Sequence, residues 1–489
     1  MLSGLIWLPV LGAFAICLWP NLTSERTRAV ALMFAILELL LTALVAIQFN
    51  IGESGLQFRE HLDWIRLVGL SYSLGVDGIS LPLLILNSFL VWIAILCSNL
   101  DTPRFRLYYG LMLLTGGGIA GSFLAQNGLL FALFYELVLI PIYCLINFWG
   151  GTRRNYAATK FLLYTAISGI LLLAAFFGLA GLSGMQSFDF EVLRTQHLPM
   201  GIQAVLLGFI IVAFAIKMPL VPFHTWLPDA HVEAPTSVSV LLAGVLLKLG
   251  TYGLLRFGLG FFPELWQQWA PWLAGWAAFT VIYGCMAALA QNDMKQMVAY
   301  SSVSHMGYVL LALAVATPLS IVAALCQMVS HGLISALLFL LVGVVYRRSG
   351  SRDLRVLRGL LNPEKGMPLV GSLLILAVMA SAGIPSMVGF VAEFLVFRSS
   401  FVAFPIQTLI CMIGTGLSAV YLLNLINRAF FGRLPKELSQ LPKVLWIERI
   451  PAIAISVVIV ILGIQPNWLT RWSEATANTF VVPTIAQER

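Results

Sequence analysis

Residues 203–222 read QAVLLGFIIVAFAIKMPLVP. An apolar run meets a lysine, Lys217, and Pro219 and Pro222 follow within five residues. Proline inside a membrane helix frees backbone groups that lipid cannot satisfy. Such a break is tolerated only where protein or a wet cavity receives those groups. A charge at mid-bilayer costs at least about 2.5–3.5 kcal/mol on insertion scales, so it is kept where it acts. The segment therefore reads as a broken transmembrane helix with ion chemistry at its break.

The rest of the chain agrees. Of 489 residues, 60% are hydrophobic and 10% charged, against about 25% charged in an ordinary soluble domain. A soluble globular protein is excluded. At about 20 apolar residues per crossing, fourteen spans can be read near 2–20, 29–50, 78–100, 107–125, 128–149, 157–182, 200–222, 236–258, 269–290, 296–315, 319–346, 369–398, 406–427 and 449–469. Runs of this length are helices, because strands in lipid need a closed barrel and about ten-residue alternation. The expected fold is all-α and polytopic, with about fourteen transmembrane helices. The first twenty residues lack a basic leader and an obvious cleavage site, so they read as an uncleaved first helix.

A second break lies five spans later, at Ala382-Gly383-Ile384-Pro385, with Gly389 following. An odd offset inverts topology. The spacing suggests two inverted five-helix repeats with broken helices 7 and 12, and two independent kinks are the plainer alternative. The repeat reading divides the chain into three N-terminal helices (1–106), a first repeat of helices 4–8 (107–260), a second of helices 9–13 (261–430), and a C-terminal helix and tail (431–489). Eighteen of the Lys and Arg residues fall in odd-numbered loops and seven in even-numbered loops or the tail. Cytoplasmic loops carry such an excess. Both termini are therefore expected on the lumenal or periplasmic side.

Several ionisable residues lie within spans, among them Glu136, Lys217, Lys248, His305, His331 and Glu393. Buried ion pairs and neutral core histidines are the bland readings, but a buried pair is weak evidence for stability. Several such groups in one chain suggest a proton relay. Carboxylate, amine and imidazole each exchange a proton when their surroundings change. A Glu136–Lys217 pair that forms and parts would bind and release one. One pKa unit is about 1.4 kcal/mol, comparable to the roughly 2.3 kcal/mol of moving a charge through 100 mV. Lys295, near a span end, is placed to snorkel.

Other chemistry finds little support. Net charge is +7, but no Lys/Arg-rich domain exists to bind nucleic acid. No CxxC, Walker A or GxGxxG pattern occurs, so no cofactor or metal site is expected in this chain. Cys17, Cys97, Cys144, Cys285, Cys326 and Cys411 read as packed small hydrophobes. The polar segment 223–235 holds His224, Asp229, His231 and Glu233 at irregular spacing. It reads as a cap over the broken helix rather than a metal site. Gly116-Gly117-Gly118 reads as close helix packing. Loop 347–365 is either a partner contact or a solvated basic loop.

Residues 217–256, KMPLVPFHTWLPDAHVEAPTSVSVLLAGVLLKLGTYGLLR, strongly resemble the chain-4 antiporter-like subunits of complex I and its photosynthetic relatives, the NuoM/NdhD family. So do 292–309 (NDMKQMVAYSSVSHMGYV), 133–141 (LFYELVLIP) and the segment Gly389–Phe394. The resemblance covers most of the chain. It implies a proton-pumping membrane-arm subunit of an NAD(P)H or ferredoxin:plastoquinone oxidoreductase, NDH-1. In this picture Glu136–Lys217 gates entry, Lys248 carries the proton centrally with His305 and His331 between, and Glu393 serves the exit half. Quinone and iron–sulfur clusters are then in partner subunits. Implied partners are the lipid bilayer, other antiporter-like subunits and a chain-5-type subunit whose lateral helix packs across this one.

The opening MLSGLIWLPVLGAFAI and residues 231–253 look closest to cyanobacterial NdhD. They lean toward the variant used in carbon dioxide uptake, with a carbon dioxide hydration subunit as neighbour. The implied location is the thylakoid membrane, otherwise a bacterial inner membrane. The alternative is a subunit of a multisubunit sodium/proton antiporter, which needs the same charges. A non-pumping scaffold is the third reading, disfavoured because a scaffold has no use for deep charges.

Overall fold

The computed structural model describes residues 1–99, 101–184, 187–194, 198–438 and 440–480. The chain is a polytopic helical membrane protein. Eleven helices among the described residues are long and apolar enough to cross a bilayer. Leu2–Leu18, Ser80–Leu96 and Pro368–Ser381 are shorter apolar helices.

The N-terminal unit comprises α1 (Leu2–Leu18), α2 (Ser24–Gln48) and α3 (Ser80–Leu96). Between α2 and α3 the chain departs from an all-helical expectation. Strands β1 (Gln57–Ile65) and β2 (Leu70–Val76) form an antiparallel hairpin. Most of β1 is exposed, so hydropathy carried no signal for it. Next come α4 (Phe105–Leu124), α5 (Gly128–Leu137), α6 (Leu139–Trp149), α7 (Arg154–Leu182), the short α8 (Phe190–Arg194) and α9 (Met200–Lys217). The span read as 128–149 is thus interrupted at Val138. After α9 the chain leaves the helix and resumes as α10 (Trp226–Glu233).

The following span is irregular. It runs as α11 (Thr236–Leu241), a π-helical stretch Leu242–Leu246, α12 (Leu247–Gly253) and a second π stretch Leu254–Leu259. Such π turns gather at functional sites. Then follow α13 (Pro263–Leu289), α14 (Met294–Val315), α15 (Pro318–Ser349), α16 (Pro368–Ser381), α17 (Val388–Ser400), α18 (Pro405–Phe430), α19 (Trp446–Ile464) and α20 (Asn467–Ala477).

Local chemistry fixes several helix starts. Asn127 Oδ1 accepts from Leu129 N and Leu130 N (3.1 and 3.2 Å). Asp293 Oδ1 accepts from Lys295 N and Gln296 N (2.7 and 3.2 Å). These side chains satisfy helix amides that have no partner within the helix. Packing is tight at the triple glycine. A Cβ would stand 2.8 Å from Val91 at Gly116, 2.9 Å from Ile6 O at Gly117 and 2.7 Å from Val138 at Gly118. Small residues here let α4 touch α1, α3 and the α5–α6 junction. The cysteines are free, and four of the six are buried.

The span containing α15 is fully buried. It packs against α14, α16, α17 and the first π stretch. This central position brings His331 among groups from four other elements.

Candidate proton-relay site

The break after α9 is closed by indoles. Trp226 Nε1 donates to Ile216 O at 2.8 Å and Trp276 Nε1 to Val221 O at 2.5 Å. Two carbonyls beside the break are thereby satisfied, and Ala215 O, left without its partner by Pro219, accepts from Leu220 N at 2.9 Å, so the break persists without exposing these groups to lipid. Lys217 at the end of α9 is fully buried. Its Nζ lies 4.2 Å from the centre of the Tyr135 ring. Tyr135 Oη lies 2.6 Å from Ser168 Oγ, which donates to Ala213 O at 2.7 Å.

Glu136 occupies the notch at Gly169 on α7, where an added Cβ would lie 1.7 Å from Oε1. Glu136 and Lys217 are close enough to interact electrostatically. They make no direct ion pair within 4.0 Å, and neither Glu136 Oε1 nor Lys217 Nζ has a hydrogen-bond partner among the described residues.

The other four residues form a connected line. Lys248 on α12 is fully buried. Its Nζ donates to Ala243 O (2.6 Å), five residues back in the π stretch, and lies 2.9 Å from His331 Nδ1. The π geometry thus supplies a carbonyl that anchors the Lys248 Nζ. The His331 and His305 rings are 5.4 Å apart. His305 Nδ1 lies 3.7 Å from Glu393 Oε1 and 3.3 Å from Gln327 Nε2. Its Nε2 lies 3.3 Å from Ser381 Oγ, at the start of the second break. Glu393 Oε2 accepts from Thr415 Oγ1 (3.0 Å), which lies 3.2 Å from Tyr308 Oη. Lys248, His331, His305 and Glu393 therefore meet, while Glu136 and Lys217 form a separate pair.

The second break is shaped by Gly383 (φ 71°) and Ser386 (φ 74°). Beyond it Gly389 abuts Ala380, where a Cβ would lie 1.9 Å from the carbonyl oxygen. These positions hold α16 and α17 close and aim Glu393 at His305.

Two readings are revised. Lys295 does not snorkel. It is 4% exposed, and its Nζ donates to Ala234 O at 2.5 Å. The first part of loop 347–365 is bound back to this chain, whereas Arg355, Arg358 and Lys365 are exposed. Arg347 donates to Cys97 O (3.0 Å), Arg348 pairs with Glu448, and Arg352 pairs with Asp293 (3.2 Å) and donates to Val232 O (2.7 Å). Segment 223–235 does behave as a cap. Lys160 pairs with Asp229 at 2.8 Å, and Glu233 Oε2 accepts from Arg153 N at 2.9 Å.

Sequence reasoning missed His231 as a relay candidate. It is fully buried and stacks on Phe339 at 4.4 Å. Neither ring nitrogen has a partner among the described residues. It interacts electrostatically with both Lys295 and Lys248. A cavity of about 420 Å³, lined by Asn99, Thr152, Glu233, Lys295, Arg347 and others, opens beside it on the face of the odd-numbered loops. Glu38 in α2 was also missed. It is 1% exposed and Oε2 is unpartnered. An acid in the apolar run of residues 29–50 was the available signal.

Residues 125–418 match the family described as NADH:quinone oxidoreductase/Mrp antiporter, transmembrane. Among similar curated proteins, NAD(P)H-quinone oxidoreductase chain 4 of Acaryochloris marina is 38% identical, over 99% of this chain and 94% of its own. NAD(P)H-quinone oxidoreductase chain 4 1 of Synechococcus elongatus is 40% identical, over 90% of this chain and 83% of its own. Among solved structures, a chain of respiratory complex I from Thermus thermophilus superposes with TM-score 0.89 at 28% identity, over 98% of this chain and 99% of its own. A chain of the Mrp complex of a Dietzia species shares the fold, with TM-score 0.87 at 22% identity, over 99% of this chain and 98% of its own.

Proposed function

Because this chain belongs to the NADH:quinone oxidoreductase/Mrp antiporter transmembrane family, we propose that it is the proton-translocating chain-4 subunit in the membrane arm of an NAD(P)H-quinone oxidoreductase. The observation that carries this is the connected line from Lys248 through His331 and His305 to Glu393. Four exchangeable groups in contact across the centre of a membrane protein move protons more readily than they stabilise a fold.

On this reading protons enter from the cavity on the odd-loop face, past Glu233 and Lys295, to His231 and then Lys248. Charge on the Glu136–Lys217 pair biases Lys248 electrostatically, since the pair is separate from the line. A proton on Lys248 passes to His331, then His305, then Glu393 at the second break. Thr415 and Tyr308 continue from Glu393. Electrons travel in partner subunits that hold the iron–sulfur clusters and reduce quinone, and this chain contributes no redox centre. The reading includes about fourteen spans in two inverted repeats, 107–260 and 261–430, supported by the paired breaks after Lys217 and Ser381. The cyanobacterial source of the similar chain-4 proteins supports a thylakoid location, plastoquinone as acceptor and ferredoxin or NAD(P)H as source. The basic odd loops then face the cytoplasm and the termini the lumen. The neighbours are other membrane-arm subunits, a chain-5-type subunit with a lateral helix and, in the carbon dioxide uptake variant, a hydration subunit.

Proton uptake by the intact complex in sealed vesicles, recorded together with quinone reduction, tests the proposal with Lys217→Ala and Lys248→Ala. Pumping should fall while electron transfer slows or uncouples. Unchanged pumping and electron transfer in both variants would sink it. A purified complex without quinone-reducing and iron–sulfur subunits would instead favour the antiporter reading.

A further inference from the structure

The helix that carries Lys248 ends differently on its two sides. Toward the odd-loop face it meets the polar cavity beside His231 and Lys295. Toward the even-loop face it ends in a locked ion pair. Arg256 lies eight residues beyond Lys248, about 12 Å along the axis, within the second π stretch. Its guanidinium bonds Asp77, and the two side chains are only 10% and 4% exposed. Arg256 Nε also donates to Tyr252 Oη (3.1 Å), and Tyr252 Oη donates to Phe123 O (3.2 Å).

Asp77 is held equally firmly. Its Oδ1 accepts from Ile79 N and Ser80 N (3.1 and 3.0 Å), capping α3. Burial by itself would raise the Asp77 carboxyl. Arg256 and these amides outweigh it and hold the group below the usual carboxylate range. The pair is therefore ionised, with both charges fixed in place.

The C-terminal segment closes over it. Gly78 N donates to Thr476 Oγ1 (3.1 Å), and a Cβ at Gly78 would stand 2.0 Å from Trp472 O. Arg194 Nη2 donates to Thr479 O at 2.9 Å. The Phe480 ring lies 5.6 Å from the Arg256 guanidinium and 5.7 Å from that of Arg194. A cavity of about 240 Å³ on the even-loop face, lined by Arg59, Gln126, Glu191 and Arg194, reaches down to Asp77, Arg256 and Phe480, which form part of its wall.

A relay through Lys248 has a weakness at this point. A proton that left Lys248 directly along its own helix would cross without passing His331, His305 and Glu393, and so without doing work. A fixed guanidinium is a poor acceptor, because it stays protonated. The Asp77 carboxylate, held ionised by Arg256 and the amides of Ile79 and Ser80, is a poor acceptor as well.

We propose that Arg256 and Asp77, backed by Tyr252 and covered by Phe480, form a proton seal at the even-loop end of the Lys248 helix. The seal forces a proton on Lys248 to leave sideways to His331. Arg256 and Asp77 are positioning residues here, and the inference rests on the reading of Lys248 as a relay group.

The test uses the intact complex in sealed vesicles. Passive proton leak is measured under an imposed membrane potential without turnover, and protons moved per electron during turnover. Arg256→Gln and Tyr252→Phe are compared with wild type, alone and combined with Lys248→Ala. The seal predicts a leak raised severalfold in Arg256→Gln and a lower proton yield per electron, with quinone reduction kept up. It also predicts that Lys248→Ala abolishes the added leak. A wild-type leak and yield in an assembled Arg256→Gln complex would overturn the proposal. So would a leak that persists with Lys248→Ala, since it would not pass through the relay. If Arg256→Gln does not assemble, the same criteria apply to Tyr252→Phe and to Phe480→Ala. Unchanged pumping in Lys248→Ala alone would mark failure of the relay reading itself.

Discussion

Nζ of Lys248 lies 2.9 Å from Nδ1 of His331, and no acidic side chain pairs with that ammonium among the described residues. A lysine held by an imidazole and by the Ala243 carbonyl is arranged for exchange rather than for neutralisation. The two contacts have different origins. The π stretch before Lys248 frees the carbonyl, and α15, buried along its membrane-spanning length, brings in the ring.

His331→Ala removes the side chain that joins Lys248 to His305. A hydrogen bond involving a charged group contributes about 1.5–3 kcal/mol, which corresponds to roughly ten- to hundredfold in a transfer rate. Proton uptake in sealed vesicles should fall by about that factor, while the complex still assembles. Undiminished uptake would remove His331 from the path.

Gly169→Ala places a methyl where the Glu136 carboxylate now sits. The carboxylate must move, and its influence on Lys217 changes. Pumping should drop severalfold. Gly181 is on the same helix with nothing within 4 Å of an added Cβ, so Gly181→Ala should behave as wild type. Equal effects of the two substitutions would refute the notch.

Trp226→Phe keeps an aromatic ring, trims the buried indole to a phenyl and loses the donor to Ile216 O. An unsatisfied buried carbonyl costs about 1–3 kcal/mol. The purified complex should show a lower midpoint of thermal inactivation. A proton yield per electron reduced along with it would tie the broken helix to function.

Thr415→Val is close in shape but removes the hydroxyl between Tyr308 and Glu393. If protons leave Glu393 by this route, turnover under a proton gradient should slow about threefold to tenfold, of the order of one charge-assisted hydrogen bond. Wild-type turnover under load would show that Glu393 discharges elsewhere.

Much of this protein could be read without coordinates. Lipid cannot hydrogen-bond a peptide group, so long apolar runs had to be helices. The breaks after Lys217 and after Ser381 were legible because proline in such a run needs a receiving environment. Glu136, Lys217, Lys248, His305, His331 and Glu393 stood out because a buried charge is expensive wherever it sits. The same rule marks Glu38, which the reading passed over.

Other features needed the tertiary structure. Hydropathy registers how apolar a segment is, not how its backbone pairs or bends, so the hairpin of β1 and β2 and the π stretches around Lys248 were invisible. Lys295 and Arg352 find their partners, Ala234 and Val232, on segments remote in sequence. For the same reason His231 passed as part of a polar cap. The sequence by itself determined that this chain crosses a membrane carrying titratable groups. Only the packing decided that Lys248, His331, His305 and Glu393 meet and that Arg256 pairs with Asp77. The physical reason is distance. A charge announces its own cost in one residue, whereas a contact depends on helices separated by many residues coming to lie side by side.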